Sequence, residues 1–122
     1  MARSPSAFTA NAIYLSHALL ELALGGIKLR GKYGGCPDMP DCAPKFARHH
    51  GVSLLAIALL GFLVWQRNLA NTETGALVSV VLAFFHSACV AVMIHALNLK
   101  VVAIHAPFAI AFVWHALTAK AK

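Results

Sequence analysis

The sequence predicts an all-α fold, an integral membrane bundle of four up-and-down helices. Three observations lead there. Hydrophobic residues make up 60% of the 122 positions and charged residues only 11%, where a soluble domain carries about 25% charge. Mean hydropathy is +0.73, and the apolar residues gather in four runs near the roughly 20 residues a bilayer crossing needs. The connections after the second and third runs are short, which favours antiparallel neighbours. The length allows a single domain spanning residues 1–122.

The first run extends over residues 8–29, with Thr9, Asn11 and Ser16 as minor polar breaks. It is too long for the apolar part of a signal peptide, contains Glu21, and lacks a small-residue cleavage pattern at its end. We therefore expect a retained first span. Gly25-Gly26 close it, followed by the basic residues Lys28, Arg30 and Lys32. Residues 31–47 then read as a loop, loosened by Gly34-Gly35 and kept from regular helix by Pro37, Pro40 and Pro44.

The second run, residues 50–66, is short for a span and is flanked by Arg48-His49-His50 and Trp65-Gln66-Arg67. Basic and aromatic residues at such edges anchor a helix at the headgroups. Gly51, Ala56, Ala58 and Gly61 leave a surface of small residues on which a neighbouring or partner helix can close. Asn71-Thr72-Glu73-Thr74 supplies helix N-cap chemistry ahead of the third run, residues 76–97. A turn around Asn98-Leu99-Lys100 leads to the fourth, residues 101–118. Pro107 inside that run frees the carbonyl near Ala103, so a kink or a local hydrogen-bond partner is expected there.

Ten Lys and Arg against four Asp and Glu give a net charge of +6. The cations sit at the ends of apolar runs, as lipid-headgroup anchors do, and nowhere interleave with aromatic residues as a nucleic-acid surface requires. Nucleic acid is excluded as a partner on that ground, and the lipid bilayer is the expected one. A small excess of cations around the first and third loops leans those loops toward the cytoplasm.

The chemically unusual residues are histidines, of which there are seven, and Glu21. His17 and Glu21 stand four apart, so at helical pitch they share a face one turn apart. A carboxylate in mid-span costs about 2.5–3.5 kcal/mol on insertion, so Glu21 is expected to be protonated, paired, or facing a wet interior. Measured from span midpoints, His17, Glu21 and His86 fall within about a turn of the midplane, with His105 slightly to one side. These four residues are the candidate ligand-binding set. Histidines at matching depth can hydrogen-bond across a helix interface, serve a proton or quinone site, or ligate a b-type haem or metal. No helix carries two histidines at the roughly 13- or 14-residue separation that would stack two haems across a bilayer, and no dedicated metal site is expected. Cys36 and Cys42 lie six apart in the Pro-rich loop. They could close a disulfide if it faces an oxidising compartment, or remain thiols; their spacing fits neither a Cys-x-x-Cys redox pair nor a zinc pair. Cys89 reads as a small buried hydrophobe.

Taken together, Glu21…Gly25-Gly26-Ile27-Lys28-Leu29 at the end of span one, Arg48-His49-His50-Gly51 opening span two with Gly61 inside it, Phe85-His86 in span three and His105-Ala106-Pro107-Phe108-Ala109-Ile110 in span four resemble the DoxX-like superfamily of small four-helix membrane proteins. The resemblance covers most of the chain. It implies a four-helix bundle and membership in a larger membrane assembly. Some members of that superfamily are similar to a subunit of a thiosulfate:quinone oxidoreductase, and others act in assembly or stress responses. It transfers no catalytic residue. The function expected from it is that of an accessory or assembly subunit of a membrane complex, with a redox or proton-handling subunit that binds quinone or haem as the alternative.

Overall fold

A computed structural model describes residues 7–30 and 43–119 of the chain. Those residues form four α-helices: α1 (Ala7–Leu29), α2 (Ala43–Gln66), α3 (Glu73–His95) and α4 (Leu99–Thr118). The fold class is all-α, as the composition and run lengths require, and each helix is long and apolar enough to cross a membrane. The third is the most apolar, with a mean hydropathy of 2.4 over its best window.

The helix boundaries differ from the sequence expectation in a consistent direction. α2 starts at Ala43, seven residues before the apolar run, with Pro44 in its first turn. Proline is tolerated there because the first-turn N–H groups have no intrahelical partner to lose. The expectation that Pro44 forbids helix is therefore corrected, and Lys45, Arg48 and His49 become helical. α3 and α4 likewise begin before their apolar runs, at Glu73 and Leu99, because a capped helix starts at its cap and not at its first apolar residue. α4 continues through Pro107 as one helix.

Two of the connections are built by the same device. At the end of α2, Asn68 takes a left-handed φ of 52°, and the N–H groups of Asn68 and Leu69 donate to the carbonyls of Trp65 and Val64. At the end of α3, Leu97 takes φ 53°, and the N–H groups of Leu97 and Asn98 donate to Ile94 and Met93. Both are Schellman closures, which satisfy the last carbonyls of a helix. Each is followed at once by a new cap: Thr72 accepts from the Gly75 N–H and Asn98 from the Val101 N–H. Thr72 is the cap the Asn71–Thr74 stretch predicts.

The chain divides into two compact units. One contains residues 1–14 and 64–122, the other residues 15–63. In the first unit α3 and α4 pack on one another as a hairpin. The buried face of α3 is Gly75, Ser79, Leu82, Ala83 and His86, at the 3.6-residue period; that of α4 carries His105, Phe112 and His115. Gly75 makes the tightest approach. A Cβ there would run into the backbone of Leu69 and Ala70, so only glycine lets the first turn of α3 lie against the preceding connection.

In the second unit α1 and α2 touch backbone to backbone. A Cβ on Gly51 would stand 3.0 Å from the Gly25 carbonyl oxygen and 2.9 Å from the Leu29 nitrogen. Small residues at this crossing serve the contact between the chain's own helices, in the manner usual for membrane helices. Of the small residues named on α2, Gly51, Ala58 and Gly61 are buried and Ala56 is exposed; Gly51 meets the chain's own neighbouring helix.

Candidate functional site

Within the first unit the polar side chains buried among α1, α3 and α4 fall into two groups. The first is a chain of hydrogen bonds. The Tyr14 hydroxyl donates to the Gly75 carbonyl at 2.6 Å and lies 2.6 Å from the Ser79 hydroxyl. Ser79 lies in turn 2.7 Å from Nδ1 of His115. Proton counting orders the chain. A carbonyl only accepts, so the single Tyr14 proton goes to Gly75. Ser79 then donates to the Tyr14 oxygen, and His115 donates from Nδ1 to Ser79. Tyr14, Ser79 and His115 are fully buried. Phe112 and the His115 ring enclose Tyr14 at centroid distances of 5.4 and 5.7 Å.

The second group is a pair. Nδ1 of His86 and Nδ1 of His105 stand 2.8 Å apart, on α3 and α4. Aromatic rings enclose the pair: Phe85 sits edge-on to both histidines, while Phe108 and Phe112 stack on His86 at 5.5 and 6.0 Å. His86 is two turns beyond Ser79 on the same face of α3, about 10 Å by helical rise. Phe112 touches both Tyr14 and His86 and so stands between the two polar groups.

In the second unit His17 and Glu21 are both fully buried on α1. Their nearest atoms, His17 Nε2 and Glu21 Oε1, are 3.7 Å apart, within ion-pair range. The shared face expected from four-residue spacing is thus present, with the imidazole and the carboxyl near enough to form an ion pair when both are charged. The same unit carries a groove of about 390 Å³ between α1 and α2, lined by Ala18, Leu19, Leu22, Leu55, Ala58, Leu59 and Phe62.

Of the four candidate ligand-binding residues, the structure brings His86 and His105 together and sets His17 beside Glu21. All four are buried. The histidines at the helix ends, His49, His50 and His95, are exposed. Cys89 is partly exposed and not buried as expected, and Cys36 and Cys42 lie outside the described residues. Sequence reasoning missed the Tyr14–Ser79–His115 chain. Its signal was present in the seven-residue interval from Ser79 to His86, which puts both on one face of α3.

The fit of a b-type haem to the facing pair can be judged from geometry. Metal–imidazole bonds run near 2.0–2.1 Å, so an iron held between the two Nδ1 atoms needs them about 4 Å apart. At 2.8 Å they bond to each other and leave no room for iron between them. No protein-family model, curated protein or solved structure matches this chain.

Proposed function

We propose that the chain is a small multi-pass membrane subunit, DoxX-like in kind, that acts as an accessory or assembly partner within a larger membrane complex. The observation that carries this reading is the use made of the buried polar groups. Tyr14, Ser79 and His115 bond to one another and to the Gly75 carbonyl, and His86 bonds to His105. Their hydrogen bonds tie α1, α3 and α4 together. Outward, the helices present large apolar side chains such as Leu19, Leu59, Phe84 and Ile110, a surface suited to lipid and to the helices of other membrane proteins.

The test is native electrophoresis of gently solubilised membranes, with and without the gene. The chain should migrate in an assembly larger than itself, and loss of the chain should lower the amount of that assembly. Migration at the size of the chain alone, with no other membrane complex affected, overturns the reading.

A redox or proton-handling subunit that takes a quinone or haem is the alternative, and the His86–His105 pair within its aromatic surround is its support. A Soret band in the purified protein, or quinone recovered with it in stoichiometric amount, would establish that alternative.

A further inference from the structure

Cations lie beyond one end of the α1–α2 groove, Arg48 on the groove row of α2 and Arg30 just past the end of α1. On α1 the groove residues Ala18 and Leu22 are one turn apart, Gly26 comes one turn further along that row, and Arg30 follows as the first residue past the helix end, its N–H bonded to the Ile27 carbonyl. Nothing stands within 4 Å of where a Gly26 Cβ would be, so the row stays open between groove and arginine. On α2 the groove residues Phe62, Leu59 and Leu55 lead, seven residues further back along the helix, to Arg48. Both arginines are exposed. They sit about 12 and 10 Å from the nearest groove residues by helical rise, a distance that carries a ligand from the hydrocarbon to the headgroup layer. Lys28 stands in electrostatic reach of His50 at the same end, and Lys45 is exposed on the first turns of α2. Among the described residues no acidic side chain lies at this end of the unit.

We propose that this seam is a binding site for one anionic phospholipid. An acyl chain fills the groove over Ala18 and Ala58, the glycerol region passes Gly26, and the phosphate is held by Arg30 and Arg48. Charge complementarity selects the occupant. A wholly apolar trough ending in two arginines matches a ligand with a long hydrocarbon tail and a terminal anion. Guanidinium is the side chain best shaped for phosphate, through paired N–H donors. An apolar partner helix would bring no anion to the arginines, and a zwitterionic lipid would present its own cation beside them.

The test uses the full chain reconstituted in nanodiscs of phosphatidylcholine doped with phosphatidylglycerol, followed by mass spectrometry of the lipid retained through purification. Retained phosphatidylglycerol should exceed its share of the nanodisc. Arg30→Gln and Arg48→Gln should each lower that retention roughly fivefold, while Arg67→Gln, at the other end of α2, leaves it unchanged. Ala58→Phe, which fills the groove, should lower it as well while both arginines remain. Should Ala58→Phe fail to fold, Leu59→Gln, at an exposed groove wall, tests the same contact. Retention in proportion to the nanodisc composition, or equal losses from Arg67→Gln and the two groove-mouth variants, overturns the proposal. Displacement of the lipid by millimolar inorganic phosphate overturns it too, since a site that reads only the anion needs no groove.

Discussion

The facing Nδ1 atoms of His86 and His105 stand 2.8 Å apart, so one ring carries its proton there and the other does not. Two neutral imidazoles in this arrangement are different tautomers, held by different surroundings. Nitrogen-15 spectra of histidine-labelled protein should show one ring of the pair protonated at Nδ1 and the other bare at that atom. Two rings with the same signature would remove the hydrogen bond. Replacing either histidine with alanine leaves a buried partner unsatisfied and should cost about 1–3 kcal/mol. The double variant should lose less than the sum of the two, with a coupling of about 0.5–3 kcal/mol.

Tyr14→Phe deletes one oxygen from a chain of three side chains. Gly75 loses its buried donor and Ser79 its acceptor. We expect a loss of about 1–3 kcal/mol in thermal unfolding in detergent, although the ring contacts with Phe112 and His115 persist. Ser79→Ala should cost a similar amount, and adding it to Tyr14→Phe should cost little more, because both changes break the same chain. Full additivity would mean that the two hydroxyls act separately.

Gly75→Ala adds a single methyl group to a helix, normally a stabilising change of about 0.5–1 kcal/mol. Here the methyl meets the backbone of Leu69 and Ala70, which cannot swing aside as a side chain does. The expected sign is reversed, a loss toward the upper end of the roughly 1–3 kcal/mol typical of overpacking. Gly26→Ala, at a position with open space around it, is the matched control and should stabilise.

Leu97→Gly should stabilise the protein by up to about 1 kcal/mol. The Schellman closure of α3 puts an ordinary L-residue at φ 53°, a conformation that glycine adopts without Cβ strain. Leu97 is 84% exposed, so little packing is lost with its side chain. Asn68→Gly, at the equivalent position after α2, should not stabilise, since asparagine already tolerates the left-handed region and its Oδ1 accepts from the Asn11 amide at 2.9 Å, a bond that glycine removes. A lowered melting temperature for Leu97→Gly would show that the leucine holds its place by contacts with lipid.

Phe84→Arg tests the membrane itself. Phe84 stands at the middle of α3 and is 76% exposed, so within the protein nothing depends on it. In water an arginine there would be harmless. At the centre of a spanning helix it should cost about 2.5–3.5 kcal/mol of insertion and sharply lower the amount of protein in membranes, while Phe84→Ala is tolerated. Equal accumulation of the two variants would place α3 outside the hydrocarbon.

The four helices were legible because bilayer thickness imposes their length and apolarity on the sequence directly. The Thr72 cap was legible for a similar reason: it acts within a few residues. The start of α2 was not, because Pro44 has opposite meanings in the first turn and in the interior of a helix. The His17–Glu21 pair could be read from spacing alone, since both lie on α1. The His86–His105 contact could be anticipated only as matching depth on two helices, because the rotation of α4 about its axis decides which ring faces α3. Tyr14 gave no sign of its role. Its partners are 61 and 65 residues away, and a tyrosine near the start of an apolar run looks like an interfacial anchor.

That separation has a consequence for how the protein is made. A ribosome adding about 5–20 residues per second produces Gly75 and Ser79 roughly 3–13 s after Tyr14. The α3–α4 hairpin, by contrast, joins neighbours in sequence and can close as soon as both helices exist. Early in biogenesis α1 therefore holds a hydroxyl in the nascent chain with no internal acceptor. Its hydroxyl must find water or headgroups to bond until α3 arrives with Gly75 and Ser79.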